Sequence, residues 1–302
     1  MPDKTLIVIA GPTAIGKTAL AIRIAREFDT EIISADSRQF YREMDIGTAK
    51  PSPQELQAAK HHFINSHSIN TEFSVGDFET QALEILSQIF SKHNIAVMVG
   101  GSGLYINGVC QGFDELPKAA AGTREKLNQL FQNQGITALQ EQLKAADPVY
   151  YQEVDIQNPQ RLIRALEVWE TSGKPFSEYR TRKIKNRPFN IVKIGLNTSR
   201  EELYQRINHR VDLMIEAGLI SEVERLLPYR DYNALHTVGY SELFDYFDGH
   251  ISLDEAIAKI KQNTRRFAKR QLTWFKKAED MTWFEPDDYA GIDAYLNSKL
   301  QS

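Results

Sequence analysis

Residues 11–18 read GPTAIGKT and follow directly on the apolar run TLIVIA. The next segment, KTALAIRIAREF (residues 17–28), places Leu20, Ala21, Ile24, Ala25 and Phe28 at helical spacing. A glycine, four residues and then Gly-Lys-Thr, set between a buried strand and a helix, is a loop built for phosphate. Glycine lets backbone N–H groups wrap an anion, and the helix N-terminus adds a favourable dipole. Lys17 supplies a point charge and the Thr18 hydroxyl suits Mg2+. Gly11, Pro12, Thr13, Ala14, Ile15, Gly16, Lys17 and Thr18 are therefore candidate phosphate-binding residues, with Thr18 the candidate metal contact.

The loop constrains the rest of the chain. EIIS and IAVMVGG read as two more short buried strands, separated by helical stretches around residues 53–59 and 78–92. Parallel-type strands joined by helices imply an α/β fold with a P-loop, doubly wound parallel sheet. From about Glu115 the character changes to helices punctuated by Gly and Pro, before PFNIVKIGLN reads as a returning strand. The expected organisation is a P-loop core over residues 1–114 and 190–302 with C-terminal helices, and a helical insertion domain over 115–189. A chain of 302 residues, 42% of them hydrophobic, can bury a large core plus such a second unit.

Composition excludes several classes. Cys110 is the only cysteine, which rules out internal disulfides and thiolate metal clusters and leaves it a packed bystander. The early apolar run, Leu6 to Ala10, is too short to span a membrane and no basic leader precedes it, so a cytoplasmic, membrane-free protein is expected. A net charge of -4 argues against a protein that is basic all over. Locally, eight Lys or Arg and one acid lie between Glu255 and Lys277, and RTRKIKNR (residues 180–187) carries five cations in eight residues, so concentrated cationic surfaces could still meet a polyanion.

A nucleoside triphosphatase needs an apolar strand ending in Asp to hold its metal. Here IAVMV runs into Gly100-Gly101-Ser102-Gly103, and IISADS places Asp36 just past its strand. A bound diphosphate is expected, while ATP binding and turnover stay open. Asp36, Ser37, Arg38 and Gln39 fall where open parallel sheets place ligands. On location alone Asp36 is equally a helix cap, a metal ligand or a catalytic group.

Taken together, GPTAIGKT, ISADSRQFYREMDIGTAKP, HHFI, FSVGDF, GGSGLY, QRLIRALEV and TRRFAKRQLTWFKK resemble, in that order and over nearly the whole chain, the bacterial tRNA dimethylallyltransferase (IPP transferase) family. The resemblance implies transfer of a dimethylallyl group from dimethylallyl diphosphate to N6 of the adenosine 3' of the anticodon, in tRNAs reading codons that begin with U. It implies that the loop holds a prenyl diphosphate with Mg2+, that Asp36 takes the amine proton, and that Ser102 offers a hydroxyl near the amine. The family usually has Thr at that last position, and Ser or Val where Ile15 stands. An arginine of LYQRINHRVDLMIEAGL, either Arg206 or Arg210, is implied to reach the diphosphate. Asp36 to Gln39, Ser102, Arg124 and the block Gln160, Arg161, Leu162, Ile163 and Arg164 are implied to grip the anticodon loop. The approach VDIQNP is shorter than the version common in the family. A monomer is expected.

Helical projection sharpens two of these segments. Over residues 255–277, Lys259, Arg266, Arg270 and Lys277 share a narrow arc, with Ile257, Ile260, Phe267 and Phe275 on another side as the packing face. In NPQRLIRALEVW, Asn158 and Pro159 start a helix whose packing stripe is Leu162, Ala165, Leu166 and Trp169, leaving Gln160, Arg161 and Arg164 on an adjoining face. His61 and His62 lack metal-site spacing and are expected to be structural. The rival readings are a small-molecule kinase using Asp36 as base, a related enzyme prenylating free AMP or ADP, and an RNA-binding protein whose loop senses nucleotide.

Overall fold

The structure is a computed structural model that describes residues 4–181 and 183–300, so Arg182 of the cationic run lies outside the described residues. The chain divides into two compact units, Met1–Gln111 with Asn186–Ser302, and Gly112–Lys185. In chain order the first unit begins β1 (Thr5–Ala10), α1 (Lys17–Glu27), β2 (Ile32–Ser34), α2 (Pro53–Ala58), β3 (His61–His62), α3 (Val75–Phe90), β4 (Ile95–Gly100) and α4 (Gly103–Gln111). The second holds α5 (Thr123–Ala146), α6 (Pro148–Glu153), α7 (Pro159–Ser172) and α8 (Phe176–Tyr179). The first then resumes with β5 (Asn190–Leu196), α9 (Arg200–Glu216), α10 (Leu219–Leu226), α11 (Ser241–Phe247), α12 (Leu253–Phe275), β6 (Met281–Phe284) and α13 (Tyr289–Leu300).

The strands form one parallel sheet in the order β3-β2-β4-β1-β5-β6. β1 lies between β4 and β5 and is buried along its length, as its unbroken apolar sequence requires for a strand covered on both faces. Its pleat sends Leu6, Val8 and Ala10 into one core with α3 and α4, and Ile7 and Ile9 into another with α1, α9 and α13. The strands that the sequence marks are β1, β2, β4 and β5. β3 and β6 are not marked, because two and four residues at the sheet edges carry too little alternation to register.

A third core packs Tyr41 and Met44 against α10, α11 and the start of α12. The α9 segment ends before Gly218, whose φ of 99° starts α10, so Arg206 and Arg210 share one helix while Leu219 belongs to the next. The helical unit has its own core, chiefly from α5 and α7. α5 breaks at Gly135, where φ is 75°, dividing the two helical stretches that the sequence separates at that glycine. Among the described residues no helix is long and apolar enough to cross a membrane.

Candidate active site

The strand ends of β1, β2 and β4 open onto a cavity of about 650 Å3, at the edge where parallel sheets bind ligands. Thr13, Ala14, Ile15, Gly16, Lys17 and Thr18 line one side of it. Ala14 (φ 65°) and Gly16 (φ 101°) are left-handed, which curls the intervening backbone into a nest of amides ahead of α1. Gly11 and Pro12 lie beneath: both are buried, and the Pro12 carbonyl accepts from Lys17 Nζ at 2.7 Å. Ile15 contributes backbone to the loop but buries its side chain in the core. Burial pulls the Lys17 ammonium down to about 7; Asp36 opposes this and Arg210 reinforces it.

Asp36, Ser37, Arg38, Gln39 and Ser102 line the same cavity, so the structure gathers loop and strand-end residues into one site. Asp36 Oδ1 accepts from the Arg38 amide at 3.1 Å, a local turn that holds the carboxylate at the strand end. Ser102 Oγ accepts from the Ser37 amide at 3.1 Å and meets Ser37 Oγ at 3.3 Å. The Arg38 guanidinium turns to the Asn233 carbonyl at 3.2 Å. The two segments approach closely because Gly100 has no side chain: a Cβ there would stand 2.2 Å from the Ala35 carbonyl oxygen.

Arg206 and Arg210 of α9 both line the cavity and differ in their partners. Arg206 is held by Glu202 at 2.6 Å, one helical turn away. Arg210 donates to the neutral Thr13 hydroxyl at 2.5 Å, and burial lowers its pKa against the pull of Asp36. An anion in the loop would therefore meet a half-buried Arg210 that, among the described residues, has no carboxylate hydrogen bond, beside a Lys17 of depressed pKa. Both gain by its arrival.

Several residues of this site are not apparent from sequence. Gln271 is buried, accepts from the Thr13 amide at 2.9 Å and donates to the Gly101 carbonyl at 2.9 Å, so α12 ties the phosphate loop to the loop after β4. Its only sequence signal is a polar residue one turn from Ala268 and Phe275 on the packing side of the helix. Phe267 does not pack as expected: it is 39% exposed and lines the cavity, because the buried stripe runs through the small Ala268 and leaves Phe267 on its flank. Ile260 and Phe275 are buried as expected. Lys277 lies beyond the last turn of α12. His61 and His62 form β3, with His62 bonded to Glu31 at 2.5 Å, yet His61 also lines the cavity. Among the described residues no group of three His, Cys, Asp or Glu is arranged for a metal. Cys110 is buried, which pushes its thiol up to about 12 and leaves it inert.

In the helical unit, Asn158 caps α7 through the Arg161 amide and Pro159 follows it. Leu162 and Ile163 are fully buried, so their side chains support α7 from the core and do not reach a ligand. Trp169 corrects the expected stripe: it is 40% exposed, while Val168 takes the core position. Gln160 and Arg161 are exposed and Arg164 partly so. A buried carboxylate, Glu167, holds Arg124 at 3.2 Å and Arg164 at 3.3 Å, and Arg124 also donates to Gln160 at 3.1 Å. Of the described cations of RTRKIKNR, Lys183 and Lys185 are exposed and two others are held in ion pairs. Arg187 is buried against Glu79 and the carbonyls of Gly108 and Val109, and Arg180 pairs with Glu153.

The fold and the cavity define a P-loop α/β protein in which an anion cradle faces a strand-end carboxylate. The sequence pattern of the IPP transferase family matches residues 39–278, and the chain belongs to that family. It is 54% identical over 298 residues to a tRNA dimethylallyltransferase of Christiangramia forsetii, covering 98% of this chain and 99% of that one. The full-length tRNA isopentenylpyrophosphate transferase of Bacillus halodurans superposes with a TM-score of 0.73 at 38% identity, over 99% of this chain and 97% of that one. A eukaryotic dimethylallyltransferase acting on tRNA superposes with a TM-score of 0.79 at 26% identity, over 98% of this chain and 77% of that one.

Proposed function

We propose that this protein transfers a dimethylallyl group from dimethylallyl diphosphate to N6 of the adenosine 3' of the anticodon, in tRNAs reading codons that begin with U, and releases diphosphate. The observation that carries this reading is one cavity with an anion cradle (loop amides, Lys17, Arg210) and the acceptor-side groups Asp36 and Ser102 lining it together. The names of the relatives supply the substrate class.

The chemistry asks for both kinds of group. The allylic C–O bond breaks with its electron pair leaving on diphosphate, so charge must be met by preorganised donors; the loop amides, Lys17 and Arg210 supply them. The adenine amine is a weak nucleophile because its lone pair is delocalised into the ring. As the C–N bond forms, N6 gives its proton to Asp36, while Ser102 orients the amine. To enter, the adenine leaves its stack, at a cost of a few kcal/mol. Thr18, whose hydroxyl stands at the cradle, would be the protein contact for Mg2+, an ion that takes oxygen ligands. When bound, Mg2+ neutralises charge on the leaving diphosphate.

Gln160, Arg161, Arg164 and Arg124 form the face of the helical unit that contacts the anticodon loop, and the protein works in the cytoplasm as a monomer. The purified protein, incubated with dimethylallyl diphosphate, Mg2+ and bulk tRNA, yields N6-dimethylallyladenosine by mass spectrometry of the digested nucleosides. AMP offered alongside stays unmodified. Prenylated AMP, or no prenylated nucleoside at all, overturns the reading.

A further inference from the structure

Glu222 of α10 is 3% exposed, and the chemistry above makes no use of it. Its carboxylate accepts the backbone amides of Asp45 at 3.1 Å, Ile46 at 2.7 Å and Gly47 at 3.0 Å, and the Tyr240 hydroxyl at 2.6 Å. Converging backbone amides are the arrangement in which proteins hold anions, and here the anion is the protein's own. Such a carboxylate is expensive to bury unless its lone pairs are met, and these four donors meet them.

What it holds is a wall of the cavity. The single turn Ile46–Thr48 ends at Ala49, which is left-handed at φ 50°, a conformation a non-glycine residue keeps only where its surroundings fix it. Gly47, Thr48 and Ala49 line the cavity, and the Thr48 and Ala49 carbonyls accept from Gln39 Nε2 at 3.2 and 3.1 Å. Gln39 Oε1 in turn accepts from the Ser34 hydroxyl at 3.2 Å. Gly47 admits the Tyr240 ring, since a Cβ there would stand 2.6 Å from it. None of these bonds involves Thr13, Lys17, Arg210 or Gln271, which organise the diphosphate cradle.

We propose that Glu222, seconded by Tyr240, is a positioning residue for the acceptor: it fixes the 45–49 turn, and through it Gln39 of the Asp36 segment, in the shape that receives the nucleobase. The inference rests on the prenyl-transfer reading. It assigns Glu222 to the RNA substrate and not to the prenyl diphosphate.

The test uses the full chain with Glu222→Gln, which keeps the size but presents amide hydrogens to backbone donors, and Tyr240→Phe, which keeps the three backbone bonds. Glu222→Gln is expected to lower kcat by about tenfold to a hundredfold and to raise the KM for tRNA, with the KM for dimethylallyl diphosphate unchanged. Hydrogen exchange at the Ile46 and Gly47 amides accelerates while exchange in the first turn of α1 does not. Tyr240→Phe lowers kcat by about two- to fivefold with the same split, and stands alone as the test should Glu222→Gln not fold. Unchanged kcat and exchange in a folded variant, or KM values that rise equally for both substrates, overturn the proposal. Absence of prenylated tRNA from the unmutated protein instead sinks the functional reading, and the exchange experiment still decides whether Glu222 holds the turn.

Discussion

The two walls of the cavity are built in different ways. The phosphate cradle is made mostly within eight consecutive residues: two left-handed positions, a lysine folded back on Pro12 and the first turn of α1. The opposite wall, from Asp36 to Ala49, is held by groups far along the chain, the Glu222 side chain under the turn and the Asn233 backbone carbonyl on Arg38. A local device tolerates almost any surroundings that supply a strand and a helix. A wall fixed from a distance exists only once the third core has formed, so its shape depends on the packing of α10 and α11.

Substitutions that separate the walls test this contrast. The largest effect is expected from Asp36→Asn, which removes the proposed proton acceptor and keeps the size: kcat is expected to fall by about 10²–10⁴ with binding of the prenyl diphosphate unchanged, read by single-turnover rates and equilibrium binding. Equal losses in both would mean the walls do not act separately. Lys17→Ala is expected to lower kcat/KM by about 10²–10³ and to weaken diphosphate binding, with tRNA retained in a filter assay.

Gln271→Ala lies on the boundary of the contrast, because it supports the cradle from α12. It leaves the buried Gly101 carbonyl unpaired and is expected to cost about 1–3 kcal/mol in a denaturant titration, with a weaker hold on diphosphate. The smallest effect is one of pH. With the Lys17 pKa at about 7 in the free protein and 10.5 in the unfolded chain, the unfolded state binds the extra proton between these values, so this group makes stability rise with pH across that window. Diphosphate binding restores the charged lysine. Calorimetry in buffers of different ionisation heat is expected to find proton uptake on binding at pH 8 that disappears at pH 6 and in Lys17→Met.

The same contrast explains what could be read in advance. The cradle, the strands β1, β2, β4 and β5 and the cap of α7 at Asn158 are set by neighbours within a few residues, and each has a pattern of its own. Gln271, Glu222 and Glu167 carry no such pattern, because a buried polar residue looks like a surface one until its partners are known. Helical spacing puts Trp169 and Phe267 on the wrong side for a related reason: it says which residues share a face, but not how wide the buried stripe is.

By itself, then, the amino-acid sequence determined that β1 is buried on both faces, that a phosphate loop follows it and that an acid stands at the next strand end, because each is a property of adjacent residues. Tertiary structure alone decided that Arg206 is paired with Glu202 while Arg210 meets the Thr13 hydroxyl, which carboxylate holds the 45–49 turn and that Arg187, of the cations in residues 180–187, has its side chain buried in an ion pair. Those outcomes depend on desolvation and on partners tens to hundreds of residues away, and both come into being only when the chain has packed.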